Sequence, residues 1–303
     1  MNRRSFLQQT VAGTAALGLG GLALQGCAGG RERHITILHT NDVHSHIDPF
    51  PPTHGAYPNQ GGVARRGGLI EAIRRENPNT LVLDAGDIFQ GTPYFNFYGG
   101  ELEFRLMSRM GYHAATLGNH DFDNGLGGLL AQLPHADFSF VSANYDFRNT
   151  LLDGYVKPYE IYELDGVRIG VFGLGIRLEG LVLPELYGET AYLDPYEMAL
   201  ETARTLRESE QCQLVICLSH LGYRYQDPQR ASDLGLASQT EGIDLIIGGH
   251  THTFMERADI RTNRVGKDVV INQVGCFGIN LGRVDFYLSP QTEPRAEGVS
   301  IAV

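Results

Sequence analysis

The chain has 303 residues, 42% of them hydrophobic, and a formal net charge of −11. That length and apolar content suit one α/β domain with a sizeable core. The acidic balance, with no Lys/Arg stripe, excludes a nucleic-acid duplex as partner, and four cysteines without a CxxC pair exclude a disulfide-dense scaffold.

Residues 1–30 read as a targeting leader outside the fold. Arg3-Arg4-Ser5-Phe6-Leu7 opens it, and the uncharged run Val11 to Leu24 follows. This is the layout of an export signal, and its paired arginines resemble the twin-arginine type. Leu24-Gln25-Gly26-Cys27 resembles a bacterial lipobox. The expectation is an exported, periplasmic or cell-envelope lipoprotein, held to the membrane by acyl chains on Cys27.

The catalytic domain is expected over 31–290. Its first strand, His34–Leu38, runs into Asp42-Val43-His44, and a Pro/Gly-rich loop fills 47–62. A helical face with Leu69, Ile70 and Ile73 comes next, then the strand Thr80–Leu83 and the patch Gly86-Asp87. Leu102, Leu106 and Met110 form a second helical stripe before the strand Ala114–Leu117 and the patch Gly118-Asn119-His120-Asp121. Phe138–Ser142 and Val167–Gly173 are further strands. Asp194-Pro195 opens a long helix, with Asp as N-cap and Pro at its first position. The strands Leu214–Ser219 and Ile243–Ile247 lead to His220 and to Gly249-His250-Thr251-His252. Val269–Val274 and Arg283–Leu288 complete the strands, and 291–303 is a tail or a last strand over Val299–Val303. Cys212 and Cys217, at odd spacing in one extended run, are expected on opposite faces, each buried as a small hydrophobe. Strands alternating with helices argue for parallel α/β units, and so many strands for two packed sheets.

Five patches of oxygen and nitrogen donors thus follow apolar, β-branched runs, where a parallel sheet delivers side chains to the crevice at its carboxyl edge. Asp42 and His44 can project toward one metal, Asp87 is suited to bridge two, Asn119 offers an amide oxygen, and His220, His250 and His252 supply imidazoles. Two divalent ions about 3.5–4 Å apart could activate a water and clamp a phosphoryl oxygen. The mixed N/O set suits zinc, manganese or iron alike. His120 is placed to approach the phosphate or leaving oxygen, and Asp123 could orient it and favour its imidazolium form.

Thr40-Asn41-Asp42-Val43-His44, Gly61-Gly62-Val63-Ala64-Arg65-Arg66, Asp84-Ala85-Gly86-Asp87, Gly118-Asn119-His120-Asp121-Phe122-Asp123, Ser219-His220-Leu221-Gly222 and Gly248-Gly249-His250-Thr251-His252 together resemble the metallophosphoesterase domain of the 5′-nucleotidase family. The resemblance implies an α/β fold, a four-layer α/β/β/α sandwich. It implies that Asp42, His44 and His252 hold one metal, that Asn119, His220 and His250 hold the other, and that Asp87 bridges them. His120 with Asp123 would be the catalytic dyad, and Asp121 stands where the family usually has Glu. Family members usually continue into a C-terminal domain that supplies an aromatic clamp for the base and arginines near the phosphate. A separately encoded polypeptide supplying that domain, or a different substrate range, is therefore expected. The implied function is hydrolysis of 5′-nucleotides or related phosphate esters by metal-activated hydroxide. The alternatives are a sulfur-ester hydrolase like the family's thiosulfate-pathway branch, and a non-catalytic surface binding lipoprotein.

Lesser expectations concern side chains near these patches. Arg65 and Arg66 are expected to pair on a helix surface, His54 to be solvated, and Tyr94, Phe95, Phe97 and Tyr98 to pack against a core or a partner domain.

Overall fold

A computed structural model describes residues 31–289 and 292–303; the leader and Cys27 lie outside them. In chain order the strands are β1 (Arg33–Thr40), β2 (Thr80–Asp84), β3 (Ala114–Ala115), β4 (Ser139–Phe140), β5 (Tyr145–Asp146), β6 (Tyr159–Leu164), β7 (Val167–Leu174), β8 (Ala191–Tyr192), β9 (Leu214–Ser219), β10 (Leu245–Gly248), β11 (Asp259–Thr262), β12 (Asp268–Asn272), β13 (Asn280–Ser289) and β14 (Thr292–Ala302). The helices are α1 (Val63–Glu76), α2 (Pro93–Tyr98), α3 (Glu101–Met110), α4 (Gly125–Gln132), α5 (Pro184–Tyr187), α6 (Pro195–Arg204) and α7 (Asp233–Gln239).

Two sheets of six strands result, ordered β14-β13-β1-β2-β3-β4 and β11-β12-β10-β9-β7-β6. Each has four parallel strands at its heart, β1-β2-β3-β4 and β12-β10-β9-β7. Antiparallel strands flank them: β13 and β14 on the first sheet, β6 and β11 on the second.

Side-chain alternation explains the layering, because successive residues of a strand face opposite sides. Ile35, Ile37, Leu81 and Leu83 of the first sheet share one apolar cluster with Ile169, Val171, Leu214, Ile216, Leu245 and Ile247 of the second. The intervening Leu38 and Val82 face the other way, into a cluster with Ile70 and Ile73 of α1 and Phe104 and Met107 of α3. Phe172, Val215, Cys217 and Ile246 likewise meet Ala199 and Ala203 of α6 and Leu236 of α7. Helix, sheet, sheet, helix is the resulting order. Strands buried on both faces read as continuous apolar runs, as β9 (LVICLS) does.

Local signals hold where capping chemistry is explicit. The Asp194 carboxylate accepts from the amides of Tyr196 and Glu197 at 2.9 and 3.0 Å, and Pro195 begins α6. Two expectations are corrected, and some strands were missed. The buried face of α3 centres on Glu103, Phe104 and Met107, with Leu102, Leu106 and Met110 only half-buried, because the Phe104 ring stacks on Phe89 at 4.9 Å and sets the helix rotation. Cys212 and Cys217 are both buried, but in the same cluster; β9 starts only at Leu214, after a left-handed Gln211, so Cys212 lies in a turn that breaks the period of two. β5, β6, β8 and β11 were not foreseen: β5 and β8 are two residues long, and β6 and β11 are flanking strands, half-exposed and mostly exposed, with charges in their sequences (YEIYEL and DIRT). No helix among the described residues is long and apolar enough to cross a membrane.

Candidate metal centre

The parallel strands of both sheets deliver their carboxyl ends to one rim. Asp42 follows β1, Asp87 follows β2, Asn119 follows β3, His220 follows β9, and His250 and His252 follow β10. Two groups of donors form there, Asp42–His44–His252 and Asp87–His220–His250, the ligand atoms of each lying within 4.8 Å of one another. Each group draws on both sheets. His252 Nε2 stands 3.1 Å from His44 Nε2 and 3.4 Å from Asp42 Oδ1. In the other group His220 Nε2 is 3.1 Å from Asp87 Oδ2, and His250 Nδ1 is 2.9 Å from Asn119 Oδ1. Asp87 lies between the groups, its Oδ2 also 3.9 Å from His44 Nε2. All seven donors expected from the sequence are therefore gathered here.

The donor set fits a pair of divalent cations. Donors about 2.0–2.2 Å from a tetrahedral zinc stand roughly 3.3 Å from each other, close to the separations above. His220 Nδ1 donates to Ala85 O at 2.7 Å and His44 Nδ1 to Phe89 O at 3.2 Å, so each ring turns its Nε2 lone pair inward. His220 Nε2 is buried and lacks a hydrogen-bond partner of good geometry, although Asp87 Oδ2 is near. Nitrogens and carboxylate oxygens that face one point, rather than pair in line, are what a cation requires.

Proton affinities agree. The Asp42 carboxylate, by hydrogen bonding, holds the His252 imidazole up at about 10. Burial would lower His220, but Asp87 and Asp42 outweigh it and hold it at about 10. Burial raises Asp87, and the His220 charge beside it more than reverses this, leaving its carboxyl well below the usual range. Burial and the His220 charge take His250 down to about 4, and burial lowers His44. Asp42 and Asp87 thus favour protons on His252 and His220 that a bound cation would displace, whereas burial favours the neutral ring at His250 and His44.

The backbone is bent to make this possible. Asp42, His44, Asp87, His250 and His252 all have φ between 47° and 69°, a left-handed region that non-glycine residues rarely occupy outside over-determined sites. Asp42 is fixed from several sides: its carboxylate accepts from the His250 amide and from Asn41 Nδ2, and its carbonyl accepts from the Phe277 amide. Gly118 leaves the space Asp87 needs, because a Cβ there would overlap Asp87 Oδ1 and stand 2.6 Å from the Asp87 amide.

Asp121 is the residue that sequence reasoning undervalued. Its buried carboxylate accepts from the amides of Asp87, Ile88, Phe89 and Gly118 at 3.0, 2.9, 3.2 and 2.8 Å. It ties the Asp87 loop to the Gly118-Asn119 loop. Burial and the neighbouring Asp87 charge push it up to about 7, while these amides pull the other way.

His120 and Asp123 lie just outside the ligand groups. A short 3₁₀ turn, His120–Phe122, eclipses positions three apart and brings His120 Nδ1 to 2.9 Å from Asp123 Oδ2. That hydrogen bond chiefly raises the His120 imidazole, burial opposing it. The ring is half-exposed and 5.3 Å from that of His44, edge to face. Elsewhere two expectations change. Arg66 is buried under Gly278 rather than paired on a helix surface, because the left-handed Gly278 has no side chain to exclude it. His54 is half-buried between Phe50 and Tyr57 and accepts from the Tyr57 amide. Of Tyr94, Phe95, Phe97 and Tyr98, Phe95 packs into the core as expected, and Phe97 and Tyr98 are exposed.

Such a rim, where both sheets contribute carboxylate and imidazole donors to two adjacent groups, defines a scaffold for a dinuclear divalent metal centre. The comparison with known proteins gives the family. The model for the calcineurin-like phosphoesterase matches residues 35–254, and the chain belongs to that family. It is 34% identical over 280 residues to the snake venom 5′-nucleotidase of Gloydius brevicauda, a match covering 86% of this chain and 46% of that protein. It is 33% identical over 284 residues to the trifunctional nucleotide phosphoesterase protein YfkN of Bacillus subtilis, covering 83% of this chain and 18% of that protein. The structure of the 5′-nucleotidase precursor from Thermus thermophilus superposes with a TM-score of 0.79 at 34% identity, over 89% of this chain and 55% of that one. The chain spans less than half the length of these two curated relatives.

Proposed function

We propose that the chain is an exported, metal-dependent phosphoester hydrolase acting on 5′-nucleotides or related phosphate esters. Asp42, His44 and His252 would hold one ion, Asn119, His220 and His250 would hold the other, and Asp87 would be shared between them. When bound, the pair supplies Lewis acidity toward a phosphoryl oxygen and activation of a water nucleophile. The chain's own residues do the rest. The left-handed backbone at five of the donors keeps them in place before substrate arrives, so little reorganisation is needed. His120, whose imidazole Asp123 raises, would donate a hydrogen bond to the phosphoryl group and pass a proton to the leaving oxygen. The 5′-nucleotidase relatives support a nucleotide as substrate, and the twin-arginine-like leader and Cys27 support export and lipid anchoring.

The observation that carries this reading is the convergence of the two donor groups beside the His120–Asp123 pair. Its test is hydrolysis of 5′-AMP and p-nitrophenyl phosphate by chelator-stripped protein with manganese or zinc restored. The expected outcome is metal-dependent release of phosphate, lost in Asp87→Asn. Wild type that binds two ions per chain and releases no phosphate from either ester would refute it.

A further inference from the structure

We propose that Gln273 is a positioning residue for both ions: its buried side-chain amide holds the loop that carries His250 and His252, one ligand for each donor group. The inference rests on the metal assignment above. His252 belongs to the first group and His250 to the second, so one short loop serves both. β10 ends at Gly248, before that loop begins. His250 and His252 stand at φ 69° and 49°, a left-handed backbone that the surroundings must impose.

Gln273 supplies what the sheet does not. It directly follows β12 and is fully buried. Its Nε2 donates to Gly249 O at 2.8 Å. Its Oε1 accepts from Thr251 Oγ1 at 3.1 Å and from the Thr253 amide. A backbone amide only donates and a carbonyl only accepts, so these partners fix which end of the side chain is oxygen and which nitrogen. Three of the four hydrogen bonds open to the side chain are thereby engaged by residues that bracket the two histidines. Gly248 leaves room for it, since a Cβ there would stand 2.9 Å from Gln273 Nε2 and overlap Asp233 Oδ2. The main chain adds two ties, the Met255 amide to Gln273 O at 3.2 Å and the Gly275 amide to Thr253 O at 3.0 Å.

The same segment grips the other sheet. Asn41, next to Asp42, accepts from the Val274 amide at 3.0 Å and donates to Gly275 O at 2.6 Å. The His250 amide in turn donates to the Asp42 carboxylate, 3.0 Å from each oxygen. Residues 273–275 therefore form a strut between the loop after β1 and the loop after β10, and Gln273 is its hold on the histidines. Groups that orient metal ligands in this way typically weigh about 10–100-fold in metal affinity.

The test reads metal binding and loop order rather than turnover. The metal-free chain is titrated calorimetrically with manganese, and exchange of the His250 amide is followed by NMR before metal is added. Gln273→Met keeps the length and bulk of the side chain and removes its hydrogen bonds. Both manganese affinities should fall at least about tenfold, and the His250 amide should exchange faster although its own acceptor, Asp42, is untouched. Asn77→Ala is the control. Its buried amide is likewise engaged, by His34 O, Thr36 Oγ1 and the Asn79 amide, at the amino end of β1. That variant should lower the urea midpoint and leave both affinities and the His250 amide unchanged. Wild-type manganese affinities in Gln273→Met would overturn the proposal, as would a loss confined to one ion. An equal loss in Asn77→Ala would overturn it too, since the effect would then be general loosening. Should Gln273→Met fail to fold, Gln273→Glu keeps the acceptor oxygens and gives up the N–H to Gly249 O; both ions should weaken, less but in the same sense, and wild-type affinities there would refute the strut. Two ions weakened together in a chain that hydrolyses no phosphate ester would keep the strut and sink the catalytic reading. Wild type that takes up fewer than two ions would sink the metal assignment and this inference with it.

Discussion

Replacing Asp121 by Asn should unlock the two loops that carry Asp87 and Asn119. One carboxylate oxygen takes the amides of Ile88 and Phe89, the other those of Asp87 and Gly118. Asn retains one oxygen and turns an NH₂ toward the other two amides. Each buried donor left without an acceptor costs about 1–3 kcal/mol, and removing a charge that burial and Asp87 disfavour offsets part of this, so the net destabilisation should fall toward the lower end of about 2–6 kcal/mol. That is a large share of a total stability of about 5–15 kcal/mol. The assay is urea denaturation of the metal-free protein at pH 8, above the value of about 7 to which burial and Asp87 push this carboxyl, with metal content measured in parallel. A lower midpoint at unchanged slope, together with loss of at least one of two bound ions, is expected. A variant within 1 kcal/mol of wild type by the sign and size argued above, still holding two ions, would show that the loops do not depend on this carboxylate.

The His120–Asp123 pair gives a pH-dependent prediction. Asp123 raises the His120 imidazole, and the charged form is the acid, so activity should fall as pH rises through its pKa. Asp123→Asn lowers that pKa, and the basic limb of the kcat–pH profile should move to lower pH; a limb that stays in place would remove Asp123 from the mechanism. Gly118→Ala would set a methyl against Asp87 Oδ1 and 2.7 Å from His220 Cε1. Turnover should fall at least a hundredfold with bound metal reduced, read by elemental analysis and phosphate release, because the Asp87 backbone cannot retreat from Asp121. Full activity in Gly118→Ala would mean that the rim is far more pliable than its backbone suggests.

What was legible in the sequence followed from short-range rules. Asp42, Asp87, Asn119, His220 and His250 stand out because each comes within a few residues of a β-branched run, and a parallel sheet puts such positions on its carboxyl rim. Asp121 stayed obscure for a different reason. Its partners are amides 32 to 34 residues away as well as one nearby, and backbone donors leave no trace in residue identity. Arg66 was misplaced because its burial depends on the absence of a side chain at Gly278, a contact across more than two hundred residues. β6 escaped because its half-exposed faces carry tyrosines and glutamates, so the alternation that marks a strand is blurred.

Because each donor group spans the seam between the layers, with Asp42 and His44 or Asp87 from one sheet and His252 or His220 and His250 from the other, a bound ion works as a rivet through the top of the sandwich. The opposite edge has no candidate ion site among the described residues; there the sheets meet through their shared apolar cluster and a few polar contacts, such as Arg33 Nη1 to Gly166 O at 3.1 Å and the Tyr162 hydroxyl to His113 O at 2.8 Å. Stripping the ions should therefore let the two sheets gape at the catalytic lip first, and amide exchange should quicken there before it does at the far end of the same strands.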